Sequence, residues 1–342
     1  MLKVKISMPH SEKNLNISQF ISDKNNTFCG KKFFLNSDIK DPDYWFVFED
    51  INSDYDTAYV DPKKIYYLNT ETSYEKTYFL QEHLKLYLDQ FHFKFGCYTD
   101  FTENYYSDLP FLPWMINKKH NEISISEHIR DINFLRNYEP TKKSKLISVI
   151  CSDKIHTVNH KLRYEFIKKL KNHFGDDLDW FGRGVNRVTY KWDAIHEYKY
   201  QIVLENDSRN NLVSEKLYDS FLGLSFPFYY GASNLNKYFD NDSFKEIDIL
   251  DTKYSIKTIE EGISSKLYEN NLEKLKISRE KVLNELNLFE RISKLIDINE
   301  NNIITSNKEE CKIYSVNYFW KSKVGIKRKI KNTISRKLRL NQ

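Results

Sequence analysis

Residues 198–208 read Tyr-Lys-Tyr-Gln-Ile-Val-Leu-Glu-Asn-Asp-Ser, and residues 212–231 read Leu-Val-Ser-Glu-Lys-Leu-Tyr-Asp-Ser-Phe-Leu-Gly-Leu-Ser-Phe-Pro-Phe-Tyr-Tyr-Gly. The apolar run at 200–204 stops abruptly at Glu205 and Asn206, which predicts a buried strand that ends at a polar rim. Continuous apolar runs of this length are typical of strands that are covered on both faces in α/β sheets.

A helix and a second strand follow. Ser214 is placed to cap the helix, whose apolar side chains recur on one face until Gly223 ends it. Residues 226–230 form the second strand, which Gly231 closes. Strand–helix–strand units build parallel sheets, and the ligands of such sheets bind beyond the carboxyl ends of the strands. Four polar residues are expected at that edge: Glu205, Asn206, Glu215 and Lys216.

Length and composition indicate a globular protein of two domains. The chain has 342 residues, which is more than one typical core holds, and 40% of them are hydrophobic. Its four cysteines are far apart in sequence, so we expect a reducing cytoplasm and neither a disulfide framework nor a thiolate metal site. No stretch is apolar enough to predict a signal peptide or a membrane span.

The rest of the chain also alternates strands with helices, which predicts an α/β fold in both halves. Strand-like runs occur at 3–7, 31–35, 44–48, 65–68, 146–150 and 178–184, and helical patterns occur at 75–88, 159–173, 256–269 and 273–298. The polar run at 139–144 is typical of a linker. We therefore predict a first domain at 1–140, a second at 141–310 and a tail at 311–342.

The tail is strongly basic. Residues 321–340 contain nine Lys or Arg and no acid, so the preceding residues carry a net charge of −4, which is the total of +5 less the +9 of this segment. Isoleucine or leucine recurs there every fourth residue, which predicts a basic amphipathic helix. Such a helix suits an anionic membrane surface better than nucleic acid. A disordered, solubilising tail is the alternative.

The central unit resembles the signature of the α-1,3/4-fucosyltransferase family. That signature has a Tyr-Lys-Phe strand, a Phe-Glu-Asn-Ser turn, a Tyr-Val-Thr-Glu-Lys helix start and a Pro-Val-X-X-Gly strand. The corresponding elements begin here at Tyr198, Leu204, Leu212 and Pro227, in the same order and with the same spacing. One residue departs from the pattern, because Leu212 stands where the family usually has a tyrosine that contacts the donor.

Three further segments resemble the family. Asn-Thr-Glu-Thr-Ser at 69–73 is similar to its Asn-Phe-Glu-Ser-Pro element, although the proline is absent. Val-Ile-Cys-Ser at 149–152, followed by Arg163, resembles a Val-Ser-Asn strand and the arginine after it. Residues 178–184 resemble Val-Asp-Val-Tyr-Gly-Arg-Cys. The matches occur in the family's order, and they imply the GT-B architecture of two Rossmann-like domains facing across a cleft.

The resemblance implies an inverting transfer of L-fucose from GDP-β-L-fucose to a hydroxyl of a glycan acceptor. Glu71, in the acceptor domain, is then the expected general base. The expected donor-binding residues are Ser152, Arg163, Arg183, Glu205, Asn206, Ser214, Glu215 and Lys216. Their chemistry fits, because a diphosphate leaving group needs fixed positive charge and an acceptor-only carboxylate suits ribose hydroxyls.

No metal ion or cofactor is expected, because these cations can neutralise the diphosphate. The triplets Asp41-Pro42-Asp43 and Asp54-Tyr55-Asp56 resemble the metal-binding Asp-X-Asp of the GT-A fold, but so short a pattern is common by chance. The expected setting is the cytoplasmic side of a bacterial inner membrane, with a surface polysaccharide or lipopolysaccharide acceptor. Two alternatives stay open: a family relative that uses another nucleotide sugar, and a non-catalytic nucleotide- or sugar-binding protein.

Overall fold

The computed structural model describes residues 1–9, 16–23, 25–70, 81–97, 103–118, 130–140, 142–155, 157–300 and 307–321. The strands are β1 Leu2–Ser7, β2 Thr27–Phe28, β3 Lys31–Leu35, β4 Tyr44–Phe48, β5 Tyr55–Val60, β6 Ile65–Leu68, β7 Phe93–Gly96, β8 Tyr105–Ser107, β9 Lys145–Ile150, β10 Leu178–Phe181, β11 Tyr198–Leu204, β12 Phe226–Tyr230, β13 Lys245–Glu246 and β14 Glu309–Tyr314. The helices are α1 Gln81–Leu88, α2 Ile132–Asn137, α3 Val158–Phe174, α4 Glu215–Leu222, α5 Thr252–Ser264, α6 Leu267–Asn270, α7 Leu272–Leu283, α8 Leu288–Glu300 and α9 Val316–Lys321.

The chain packs into two compact α/β units that do not follow the order of the sequence. The first holds the described residues of 1–11, 25–111 and 295–342, and the second holds those of 12–24 and 112–294. The predicted domains, 1–140 and 141–310, ran along the chain without such interleaving. Ion pairs help to explain why the end of α8 belongs to the first unit. Asp297 pairs with Lys31, and Glu300 pairs with Lys64.

The first unit contains a mostly parallel sheet. Its described strands lie in the order β2-β3-β1-β4-β6-β7-β8, and β2 runs antiparallel to β3. β4 and β6 are buried along their whole length, as their continuous apolar sequences predict for strands inside a parallel sheet. Asn69 follows β6 and is fully buried at the carboxyl edge of this sheet.

A two-stranded ribbon packs beside that sheet and includes part of the predicted tail. β14 pairs antiparallel with β5. Its Ile313 is buried in one hydrophobic cluster with Ala58, Val60 and Trp45. The tail therefore does not begin at 311, because residues up to Lys321 belong to β14 and α9. The remainder of the predicted tail, 322–342, lies outside the described residues.

The second unit contains a parallel sheet in the order β10-β9-β11-β12-β13. The chain goes from β9 to its neighbour on one side, β10, and then returns to its neighbour on the other side, β11. The carboxyl ends of β9 and β11 thus flank the topological switch point of this sheet, where open α/β sheets bind their ligands.

The strand–helix–strand prediction is confirmed in this unit. β11 and β12 are parallel neighbours, and α4 connects them. The Ser214 hydroxyl accepts a hydrogen bond from the Lys216 amide and caps α4, and Gly223 is the C-cap. Six of the eight α4 residues, 217–222, are buried.

The C-terminal helices are shorter than predicted. The pattern at 273–298 predicted one helix, but α7 ends at Leu283 and α8 begins at Leu288. Asn287 explains the break, because its side-chain oxygen accepts the Phe289 amide hydrogen at 3.0 Å and so starts a new helix. The pattern at 256–269 is likewise divided, between α5 and α6. Among the helices that the structure describes, none is both long and apolar enough to cross a membrane.

Candidate active site

The switch point of the second unit opens into a cavity. It has a volume of about 140 Å³ and lies between the ends of β9 and β11 and the start of α4. Its polar wall is formed by Lys191, Gln201, Glu215, Lys216 and Asp219. Gln201 is 3% exposed, and its side-chain oxygen has no hydrogen-bond partner among the described residues. A buried polar wall of this kind favours a polar ligand.

Glu205, directly after β11, organises one side of the cavity. Its carboxylate is fully buried. The Ser214 amide donates to Oε1 at 2.7 Å, and the Ser214 hydroxyl donates to Oε2 at 2.6 Å. Lys216 Nζ donates to the same Oε2 at 3.2 Å and to the Ser214 hydroxyl at 2.8 Å. These bonds fix the Lys216 ammonium over the first turn of α4, where the helix amides also favour an anion.

Arg163 brings a second cation to the same place. It lies in α3 and is 7% exposed, and its Nη1 donates to the Leu204 carbonyl at 3.2 Å. Its Nε has no hydrogen-bond partner, and no carboxylate in the described part of the chain forms an ion pair with it. Burying a guanidinium without an acid is costly, so this arrangement is typical of a site that receives an anionic ligand.

A buried ion pair that sequence analysis missed forms the other side. Lys191 Nζ lies 2.6 Å from Asp219 Oδ2 and 3.6 Å from Glu215 Oε1. The other oxygen of Asp219 accepts the Met115 amide hydrogen at 2.8 Å. Lys191 begins a short 3-10 helix 24 residues before Glu215 and matches no motif, so the sequence gives no signal for it. Asp219 gives one, because an acid inside an apolar helix face requires a partner.

The charges of this cluster control its titration. Burial opposes ionisation of Glu215, but Lys216 and Lys191 outweigh it and lower the pKa of Glu215 to about 2. Burial lowers the pKa of Lys191, yet Asp219 and Glu215 outweigh it and leave that pKa raised. Glu215 is thus a carboxylate, and Lys191 is an ammonium, at neutral pH.

The other predicted donor-binding residues lie at the same edge without sharing this network. Ser152 and Asn206 are half-buried in the loops that follow β9 and β11, and Arg183 is exposed after β10. The Arg183 carbonyl accepts the Asp153 amide hydrogen at 3.0 Å and joins two of these loops. Gly182 permits this approach, since a Cβ there would lie 2.0 Å from the Cys151 carbonyl oxygen. Leu212, at the position of the family tyrosine, is fully buried.

The first unit holds the start of the predicted acceptor element. Glu49 follows β4 with a φ of 59°, in the left-handed region. Its Oε1 accepts hydrogen bonds from the Asn69 side chain at 2.5 Å and from the Thr70 amide at 2.6 Å. The next residues, 71–80, are outside the described residues, and the predicted base Glu71 is among them.

The two Asp-X-Asp triplets are held in ion pairs. Asp41 and Asp43 pair with Lys308, Asp54 pairs with Lys321, and Asp56 pairs with Lys5. Over the described ranges, no group of three or more His, Cys, Asp or Glu side chains is arranged to hold a metal ion.

Part of the chain matches a known protein family, and several solved structures are similar to it. The model of the C-terminal region of glycosyltransferase family 10 (fucosyltransferase) matches residues 140–261. An alpha1,3-fucosyltransferase solved with GDP is 15% identical and has a TM-score of 0.47, with 82% of this chain and 90% of that chain covered. The same kind of enzyme with GDP-fucose is 16% identical, with a TM-score of 0.44 and coverage of 79% and 81%. A sucrose-phosphate synthase from Thermosynechococcus elongatus is 7% identical, with a TM-score of 0.49 and coverage of 89% and 100%.

No curated protein sequence matches the chain. The region matched by the family model contains all eight predicted donor-binding residues, and with them the cluster around Glu205, Lys191 and Asp219. Residues 140–261 thus match the C-terminal region of glycosyltransferase family 10, the fucosyltransferase family.

Proposed function

We propose that the protein transfers L-fucose from GDP-β-L-fucose to a hydroxyl of a glycan acceptor, in an α-1,3-type linkage and with inversion at the sugar carbon. The observation that carries the proposal is the buried Arg163, which has no acid partner among the described residues and lies at the switch point within the region of the family match. A guanidinium fork is suited to a diphosphate.

Different residues of the donor site bind the diphosphate and the nucleoside. Arg163 and Lys216 take the diphosphate, whose negative charge grows as the sugar leaves. The amides at the start of α4 support them. Glu215, ionised by its two lysine neighbours, accepts hydrogen bonds from ribose hydroxyls. Glu205 acts indirectly, since its bonds hold Lys216 and Ser214 in place.

The first unit supplies the acceptor side in this proposal, which is the division of labour of GT-B enzymes. Glu71 removes the proton of the acceptor hydroxyl as that oxygen attacks the sugar carbon. The bond from the carbon to the phosphate oxygen breaks in the same step, and GDP leaves with the bonding electrons. The charge of the departing GDP is met by side-chain cations, so we propose that the reaction needs no divalent metal ion.

The acceptor is proposed to be a bacterial surface polysaccharide or lipopolysaccharide. In that setting the enzyme works at the cytoplasmic face of the inner membrane, and residues 322–342 attach it reversibly to anionic lipid. Eight of the nine cations counted above lie in this segment, and each Lys or Arg near such a surface contributes about 1 kcal/mol.

A donor screen tests the function directly. The purified protein is incubated with a lactosamine acceptor and, in turn, GDP-fucose, GDP-mannose, UDP-glucose and UDP-galactose, and the product is identified by mass spectrometry. We expect product with GDP-fucose alone. Transfer from another donor would replace fucose by that sugar, which is the family alternative that Leu212 raises. Tight GDP binding without turnover on any donor or acceptor would favour the non-catalytic alternative.

The metal proposal has its own assay. Turnover should be unchanged in excess EDTA, because the charge of the leaving group is neutralised by Arg163 and Lys216. Loss of turnover in EDTA that manganese or magnesium restores would contradict it.

A further inference from the structure

We propose that Lys118 is a further cation of the donor site and contacts the diphosphate of the nucleotide sugar. The inference rests on the proposed function and adds to it a residue outside the matched region 140–261. Neither the motifs nor the spacing of the sequence points to Lys118.

Hydrogen bonds of the main chain hold the turn that ends at Lys118 against two residues of the cavity wall, Asp219 and Lys191. The Lys118 amide donates to the Met115 carbonyl at 2.9 Å and closes a tight turn. At one end of this turn, the Met115 amide donates to the Asp219 carboxylate. At the other end, the Lys118 carbonyl accepts the Lys191 amide hydrogen at 3.1 Å. Asp219 and Lys191 form the 2.6 Å ion pair that lines the cavity, so both ends of the turn are fixed to that pair.

The acids of the cluster are already committed to other lysines. Glu205 pairs with Lys216, and Asp219 pairs with Lys191. Glu215 lies within 4 Å of both of these lysines. Among the described residues, no side chain forms a hydrogen bond or an ion pair with the Lys118 ammonium. Lys118, like Arg163, is thus a cation at this edge that no acid among the described residues neutralises.

The electrostatics around Lys118 agree with this reading. Burial, and then the positive charge of Lys191, lower the pKa of Lys118, while the acids Glu215 and Asp219 oppose that shift. Arg183 is a further cation that acts on it. An ammonium that is partly buried among other cations is stabilised by an anion, and a diphosphate supplies one. The cations of this cluster outnumber its three carboxylates, Glu205, Glu215 and Asp219, so positive charge is left for a ligand.

Calorimetric titrations of two ligands separate a phosphate contact from a structural role. Each of four proteins is titrated with GDP and, in competition, with guanosine: the wild type, Lys118→Met, Lys118→Arg and the control Lys257→Met. Lys257 is an exposed lysine of α5 in the same unit. We expect GDP to bind Lys118→Met roughly ten- to a hundred-fold more weakly, the usual loss for one charge-assisted contact. Guanosine affinity should not change, Lys118→Arg should recover most of the GDP affinity, and Lys257→Met should bind both ligands as the wild type does.

A parallel titration of Arg163→Ala distinguishes failure of this inference from failure of the proposed function. If Arg163→Ala weakens GDP binding and Lys118→Met does not, the inference is overturned and the function stands. If Lys118→Met weakens guanosine and GDP equally, its role is structural and the inference is again overturned. If the wild type does not bind GDP, or if Arg163→Ala binds it normally, the proposed function fails and the inference fails with it.

Discussion

Glu205 shows how one buried carboxylate sets the geometry of a charged site. It accepts bonds from Ser214 and Lys216 and has no access to solvent. Sequence reasoning predicted its position, because the apolar strand ends there. From the sequence we expected Glu205 to contact the donor. In the structure its carboxylate accepts hydrogen bonds from Ser214 and Lys216 at the start of α4. That partnership depends on the folded turn at 207–213, which local patterns do not specify.

Gly231→Ala should disturb Glu205 from outside the network. A Cβ at Gly231 would lie 2.5 Å from Glu205 Cγ and 2.3 Å from the Tyr229 hydroxyl oxygen. Overpacking of this kind costs about 1–3 kcal/mol of unfolding free energy. We expect a lower midpoint in urea and weaker GDP binding. Gly30→Ala is the control, because its φ of 72° strains an alanine while its Cβ would meet nothing within 4 Å, so it lowers stability without touching Glu205. Gly30→Ala should leave GDP affinity unchanged, and equal loss in both variants would speak against a specific effect on Glu205.

Lys143 should make the stability of the protein depend on pH. Its ammonium is buried and donates to the carbonyls of His196 and Gly223, and burial lowers its pKa from 10.5 to about 7. Between these values the unfolded chain binds more protons than the folded one, so stability rises with pH. From pH 7 to 9 the gain is about 2 kcal/mol.

Urea unfolding at pH 7 and pH 9 measures this effect by comparison with Lys143→Met. The variant keeps a side chain of similar length but does not titrate, so its gain should be smaller than that of the wild type by the amount due to Lys143. Equal gains in the two proteins would mean that Lys143 keeps an ordinary pKa in the fold.

At the scale of elements, the strand–helix–strand unit was predictable and the C-terminal helices were less so. Strong apolar runs and the Ser214 and Gly223 caps defined β11, α4 and β12. The break between α7 and α8 has no Gly or Pro to mark it, and a single Asn cap decides it. β14 was missed because its pairing with β5 joins residues about 250 positions apart.

The β5–β14 ribbon should matter for stability, although most of β14 lies within the predicted tail. Ile313→Ala removes a buried side chain from the cluster around Trp45 and should cost about 2–5 kcal/mol. Glu309→Ala, at the exposed start of β14, should change stability by less than about 0.5 kcal/mol. Chemical unfolding compares them, and equal small effects would mean that the ribbon contributes little.

Residues 322–342 should be separable from the fold. Deleting them should leave the unfolding midpoint and activity on a soluble acceptor unchanged, while sedimentation with anionic vesicles at low salt is lost. A truncation that removes 309–342 should lower the midpoint, since β14 goes with it. Full-length protein that ignores such vesicles would contradict the membrane proposal, and loss of soluble activity on the shorter deletion would place the segment in the fold.

For the whole molecule, the two-unit α/β design was predictable, and its exact division was not. Alternating strands and helices indicate two such halves, but the return of 295–321 to the first unit depends on contacts between the ends of the chain. Contacts between distant parts of the chain also limited what could be predicted of the site. Motifs located residues on consecutive elements, while the Lys191–Asp219 pair and the Lys118 turn arise only when distant loops meet.

Glu71→Gln should separate catalysis from donor binding across the molecule. Loss of general-base help lowers turnover by about 10²–10⁴-fold, whereas GDP affinity should stay unchanged because the donor residues lie in the second unit. Glu75→Gln is the control in the same segment and should keep normal turnover. Near-normal turnover of Glu71→Gln would remove Glu71 from the mechanism.

Hydrogen exchange with and without GDP tests most directly where the donor binds. Peptides that cover 150–163 and 204–217 carry the loop after β9, Arg163, the end of β11 and the start of α4. Saturating GDP should slow amide exchange in both of these segments. Unchanged exchange in both, or slowing that is confined to peptides of the first unit, would contradict a donor site at the switch point of the second sheet.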